Sequence, residues 1–191
     1  MKLGIYVGSF NPVHDGHIKV INYILDNHLV DKVLIIPGQN YWDKQNLIDI
    51  KHRINMLKVF ENEKVIIDDK HNNYPYTYQV FRSLKKDYPN DSLYLVMSAD
   101  NLINLDKWKN INELLQNKII VLNRNNIDMN KYIKKFNKDN FILVPDFDFI
   151  DISSTEIRNG NYKELNLKVK KYIEDNNLYK WKEVIIWKNM K

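Results

Sequence analysis

Leu3-Gly4-Ile5-Tyr6-Val7-Gly8-Ser9-Phe10-Asn11-Pro12-Val13-His14-Asp15-Gly16-His17-Ile18-Lys19-Val20-Ile21-Asn22-Tyr23-Ile24-Leu25 is the stretch that decides the fold. Residues 3–7 form a short apolar run stopped by Gly8, which reads as a buried strand. From Ile18 to Leu25 the apolar residues recur at helical spacing. A strand, a glycine-bearing turn and an amphipathic helix in immediate succession are the first unit of an α/β chain. Gly8 suits a close backbone approach. The helix start near Gly16 leaves free N–H groups that can meet a phosphate. His14 and His17, three residues apart, fall on one side of that helix start. From there two imidazoles can donate hydrogen bonds to phosphoryl oxygens. The turn has too few glycines for a dinucleotide fingerprint and no Gly-Lys-Ser/Thr for a Walker loop.

Outward from this unit the same alternation continues. Residues 33–36, 65–67, 93–97, 119–122 and 141–144 read as further strands, the first stopped by Pro37-Gly38. Residues 50–60, 78–86, 111–115 and 130–136 read as helices between them. A last helical region begins at Thr155 and is clearest at 169–175. The alternation predicts a Rossmann-like open parallel sheet with helices on both faces. A small helical region from residue 151 and a short tail from 181 complete what reads as one domain over 1–191. Ligands of such sheets bind beyond the carboxyl ends of the strands. The segments after Val7, Ile36, Met97 and Val144 should therefore rim one cleft.

Composition narrows the chemistry. The 191 residues include no cysteine, which excludes disulfides, thiolate catalysis and cysteine-held zinc. The five histidines show no metal-ligand spacing, so no protein-held metal is expected. No apolar run reaches the ~18 residues that a membrane-spanning helix needs. No secretory signal is evident, and the expected location is the cytoplasm. The net charge of +5 comes from 29 basic and 24 acidic residues without any block of one sign. It fits polyphosphate handling, nucleic-acid binding or simple Lys/Asn-rich drift.

Near the other end, Ile152-Ser153-Ser154-Thr155-Glu156-Ile157-Arg158 opens a helix. Its hydroxyls suit capping, and Glu156 suits the first turn. Arg158, read as part of that first turn, conflicts with the dipole unless an anion is near.

These two segments carry a resemblance. Residues 8–17 are similar to the GSFDPVHxGH signature of the nucleotidyltransferases with an H-x-G-H motif, with Asn11 where the family has Asp. Residues 152–158 are similar to that family's ISSTxIR motif. Several middle segments resemble the bacterial nicotinate (nicotinamide) mononucleotide adenylyltransferases in particular. They are Lys51-His52-Arg53 with Met56-Leu57, Tyr76-Thr77, Ser98-Ala99-Asp100, Lys107-Trp108 and Arg124. The loop at 37–44 departs from the family, keeping Pro37 and Lys44 but carrying Tyr41 and Trp42 in place of the diproline and histidine.

The resemblance implies transfer of the adenylyl group of ATP to a pyridine mononucleotide, with Mg²⁺ carried by the ATP. It implies catalytic roles for His14, His17, Lys44 and Arg158. It implies ATP contacts from Gly8, Ser9, Phe10, His17, Ser98, Asp100, Ser153, Ser154, Thr155 and Arg158. Acceptor contacts would come from Lys44, Tyr76, Thr77, Trp108 and Arg124. Trp108 offers a flat face for an electron-poor ring and equally suits a core position. Asp100 at a strand end suits ribose hydroxyls and equally suits a helix N-cap. Nicotinate mononucleotide is the acceptor favoured by the middle segments. Nicotinamide mononucleotide, phosphopantetheine and a non-catalytic nucleotide-binding role stand as alternatives. Neither nucleic acid nor membrane is an expected partner, and the sequence leaves a homo-oligomer open.

Overall fold

The computed structural model describes residues 1–38 and 47–179. β1 (Lys2–Gly8) leads through α1 (Asp15–Asp26) to β2 (Lys32–Pro37), and α2 (Ile50–Leu57) leads to β3 (Val65–Ile67). α3 (Thr77–Asp87) precedes β4 (Ser92–Ser98), after which come two short helices, α4 (Ala99–Leu102) and α5 (Ile111–Leu114). β5 (Lys118–Leu122), α6 (Met129–Ile133) and β6 (Phe141–Val144) follow, then α7 (Ser154–Arg158) and α8 (Leu167–Asp175).

The strands form a six-stranded sheet in the order β3-β2-β1-β4-β5-β6. Every neighbouring pair is parallel. The chain winds outward from β1 in one direction, then returns to β4 and winds in the other. Where the direction reverses, crossovers leave opposite faces and open a crevice above β1 and β4.

Alternation along the strands builds two cores. Val33, Ile35, Val96, Ile120 and Leu122 face a layer of α1, α2, α7 and α8, which contribute Ile21, Ile24, Met56, Leu57, Ile157, Val169 and Ile173. Leu34, Ile36, Leu95, Met97, Ile119 and Val121 face the opposite layer, where Phe81, Leu84, Leu102, Leu114 and Ile133 pack. The Rossmann-like α/β fold expected from the alternation is the fold observed. No helix among the described residues is long and apolar enough to cross a membrane.

Helix ends follow from side chains. Asp49, Asp128 and Asn166 accept from backbone N–H groups at the starts of α2, α6 and α8. The expected helix over 50–60 is α-helical to Leu57 and tightens to a 3₁₀ turn over Lys58–Phe60. The helical region expected from Thr155 is two helices. Gly160, at φ 101°, turns the chain out of α7.

Candidate functional site

The turn after β1 is shaped from beneath. Phe10 adopts φ 45° and is 1% exposed. Its ring lies edge-on to Tyr6 and His17, with centroids 5.3 and 5.0 Å away. A Cβ on Gly8 would come within 3.0 Å of that ring, so the turn needs glycine there. Arg53, on α2 and 1% exposed, completes the template. Its Nη1 donates to the carbonyls of Ser9 and Gly38, each at 2.8 Å, and its Nε donates to that of Ile48 at 3.2 Å. One buried guanidinium thus holds the turns that follow β1 and β2. Arg53 belongs to a segment that resembles the family, but its place in the sequence implies no role. Only its burial reveals one.

His14 stands at the N-cap of α1 in extended conformation, and His17 lies one turn in. Their rings are 3.8 Å apart between centroids. The backbone N–H of His14 donates to Nδ1 of His17 at 3.2 Å. A neutral His17 therefore carries its proton on Nε2, leaving one N–H to donate. Burial first, then the Arg124 guanidinium, holds His14 down to about 4. Burial, the neighbouring His14 and Arg124 hold His17 well below the ordinary histidine range. At neutral pH both rings are uncharged. A Cβ on Gly16 would come within 3.0 Å of Cε1 and Nδ1 of His14, so the approach of ring to helix start depends on glycine.

Two cavities meet above the carboxyl ends of β1 and β4. The first, about 360 Å³, is lined by His14, His17, Ser98, Asp100, Asn123 and Arg124, with Phe147, Phe149 and Ile152 from the segment after β6. The second, about 590 Å³, is lined by Tyr74, Tyr76, Lys107, Lys109 and His71, and reaches Ile36 near the end of β2 and Gly38 just past it. Gly8, Ser9, Thr77, Asn101 and Trp108 line both. The segments after Val7, Ile36, Met97 and Val144 thus converge on one divided cleft.

The cleft gathers most of the expected residues. Gly8, Ser9, Phe10, His17, Ser98 and Asp100 line the first cavity, and Tyr76 lines the second. Trp108 is half-buried against the core while also lining both cavities. The two readings of this side chain are compatible. The N-cap of α4 is Ser98, and Asp100 lies within the first turn, so the capping reading of Asp100 does not hold. Arg124, expected at the acceptor, lines the cavity that the histidines also line. Its Nη2 donates to the carbonyl of Ile152 at 2.9 Å, and its Nε is buried with no partner among the described residues.

Residues 153–158 do not line either cavity. Ser153 caps α7 in a reciprocal arrangement with Glu156. Ser154 Oγ donates to the carbonyl of Pro12 at 2.8 Å. Arg158 donates to the carbonyl of Asn11 at 2.7 Å and to Thr155 Oγ1 at 3.0 Å. It is the last residue of a five-residue helix, where the dipole favours a cation. The conflict expected from a first-turn arginine is therefore absent. Lys44, Tyr41, Trp42 and the tail from 181 lie outside the described residues. Among the described residues, no group of three or more histidines or carboxylates could hold a metal ion.

Comparison with known proteins agrees with this geometry. The cytidylyltransferase-like family model matches residues 5–160. A probable nicotinate-nucleotide adenylyltransferase of Fusobacterium nucleatum is 36% identical, over 91% of this chain and 97% of its own length. One of Clostridium tetani is 32% identical, over 87% and 90%. Among solved structures, the Plasmodium falciparum nicotinic acid mononucleotide adenylyltransferase complexed with NaAD superposes with a TM-score of 0.79 at 26% identity. That superposition covers 93% of this chain and 97% of the other. With a family model spanning most of the sheet and relatives matching nearly end to end, this chain belongs to the cytidylyltransferase-like family.

Proposed function

We propose that this protein is a nicotinate-nucleotide adenylyltransferase. It joins ATP and nicotinate mononucleotide into nicotinate adenine dinucleotide, with release of pyrophosphate, in NAD biosynthesis. The observation that carries this reading is the divided cleft. Two cavities of different chemistry share Gly8, Ser9, Thr77 and Trp108 as a common wall. A two-substrate transfer needs such a junction. The relatives named above carry the same activity in their names.

In the reaction an oxygen of the acceptor phosphate forms a bond to the α-phosphorus of ATP. The bond from that phosphorus to the bridging oxygen breaks, and its electrons leave with pyrophosphate. The attacking oxygen is already an anion, so no covalent intermediate is required. Catalysis is then positioning and charge stabilisation. ATP is assigned to the first cavity, with Asp100 accepting from ribose hydroxyls. His17 donates through Nε2 to a phosphoryl oxygen, beside His14. Arg124 is assigned to the phosphates rather than to the acceptor, because it shares their cavity and its Nε lacks a described partner. The pyridine mononucleotide is assigned to the second cavity, against Trp108 and Tyr76.

The residues fit a Mg²⁺ that arrives on the triphosphate, since the first cavity offers one carboxylate, Asp100, rather than a cage. Such an ion neutralises charge on the phosphates. Lys44 remains assigned to phosphate neutralisation on the resemblance alone. Ser154 and Arg158 support the β1–α1 turn from outside the cleft through the Pro12 and Asn11 carbonyls, with Thr155 steadying Arg158 and Ser153 capping α7.

Pyrophosphate release from ATP and Mg²⁺ tests this, with nicotinate mononucleotide, nicotinamide mononucleotide and phosphopantetheine offered separately. Turnover with the first is the expected result, and His17→Ala should lower its rate by about 10²–10³. Near-normal turnover by folded His17→Ala protein would overturn the mechanism.

A further inference from the structure

We infer that Lys109 is the side chain by which the second cavity selects a pyridine bearing an anionic carboxylate over one bearing a neutral carboxamide. The inference rests on the function proposed above and adds a residue to it.

No aspartate or glutamate is among the described residues lining this cavity, whose ionisable side chains with a basic character are His71, Lys107 and Lys109. His71 is already taken up by carboxylates, and Lys107 has given one donor to a neutral amide. Nδ1 of His71 lies 2.7 Å from Asp68 Oδ2, and its Nε2 lies 3.3 Å from Asp87 Oδ2. Lys107 Nζ donates to Asn104 Oδ1 at 3.0 Å. Lys109 differs. Its Nζ stands 4.5 Å from the centroid of the Tyr76 ring, and no carboxylate among the described residues pairs with it. A cation over a ring face is held in place without being neutralised. Its charge and donors stay available to an incoming anion.

Position completes the argument. Lys109 follows directly on Trp108, whose indole lines the same cavity, and Tyr76 lines it too. A pyridine stacked on the indole is thus within a cavity walled by the ammonium. A carboxylate on that ring would gain a charge-assisted hydrogen bond, and a carboxamide would gain far less. Such a bond to a charged group corresponds to about a tenfold to hundredfold change in affinity. Selection of this kind is a difference between two acceptors that share every other group. Both mononucleotides carry the same ribose and phosphate, so contacts to those parts cancel in the comparison.

The test measures kcat and KM for nicotinate and nicotinamide mononucleotide separately, at saturating ATP and Mg²⁺. It compares the unaltered protein with Lys109→Met and Lys109→Arg. Lys109 is exposed, and thermal melts should show each variant as folded as the parent. Lys109→Met is expected to reduce the preference for nicotinate mononucleotide by about tenfold or more, chiefly through a raised KM for that substrate. Lys109→Arg, which keeps the charge, should retain most of the preference. Equal losses on both acceptors would overturn the inference, because the ammonium would then serve the shared phosphate. An unchanged preference in Lys109→Met would overturn it as well. Failure of the unaltered protein to use either acceptor would overturn the function itself, and is read on a different protein from the variants.

Discussion

Protonation of His14 in the folded chain is opposed by burial and then by the Arg124 guanidinium, which together hold it at about 4 against an ordinary 6.5. Between those values the unfolded chain binds the proton and the folded chain does not. Stability is therefore fully present above about 6.5 and falls as pH drops towards about 4, by on the order of 3 kcal/mol. Urea melts at pH 7, 5.5 and 4 should show this step, and His14→Gln should shrink it to the part that the buried His17 contributes. On the proposed function, phosphates placed beside the same ring would favour its charged form. ATP binding near pH 6 should accordingly take up protons, visible by calorimetry in buffers of different protonation enthalpy. No uptake would place the phosphates elsewhere. Gly16 offers a cleaner separation of activity from stability. Alanine is the better helix former by about 1 kcal/mol, but its Cβ would press on the His14 ring. Gly16→Ala should change stability little, the helix preference offsetting the crowding at His14, while losing activity by as much as about 10²-fold, since a small misplacement of a reacting group is enough. The identities of these residues were legible in the sequence. That the two rings lie against each other, and that His17 spends Nδ1 on the backbone of His14, was not, because residue spacing gives a face but no rotamer.

The elements carry two further expectations. Arg53 holds three carbonyls from α2. Its replacement by Met keeps the bulk and leaves those acceptors without their donor, each at a cost of about 1–3 kcal/mol. A fall in unfolding free energy of at least about 2 kcal/mol is expected, together with a raised KM for both substrates, because Ser9 and Gly38 shape the cavity walls. A change in stability without any change in KM would show that the turns hold their form without it. At α7, Ser153→Ala removes one half of the reciprocal cap and should cost about 1 kcal/mol. Hydrophobic periodicity made the strands and longer helices legible. Caps such as Asp49, Asp128 and Asn166 were visible as residue types, though not as bonds. The 3₁₀ end of the second helical stretch and the break at Gly160 were not legible. Both depend on how the chain leaves a packed helix, which local propensity does not record.

At the scale of the whole molecule, the C-terminal third braces the first turn. Ser154 meets the Pro12 carbonyl, Arg158 meets the Asn11 carbonyl, and the Tyr179 hydroxyl donates to Asn11 Oδ1 at 2.8 Å. Arg158→Gln should then lower the thermal midpoint and the turnover together. Loss of turnover with an unchanged midpoint would return Arg158 to direct contact with the phosphates. The sequence by itself determined the succession of strands and helices, the open parallel α/β architecture, the turn after β1 as a wall of the cleft, and the residue types of the site. Those follow from local period, from glycine at the turn and from the chemistry of each side chain, all of which are written in short windows. Only the tertiary structure decided that Arg124 joins the histidines, that Ser154 and Arg158 turn their polar groups to the loop at 11–12, and that Lys109 stands over Tyr76 in the second cavity. Those outcomes depend on strand order and on which layer each crossover takes, and a strand's alternation reveals that it is buried without naming its neighbour.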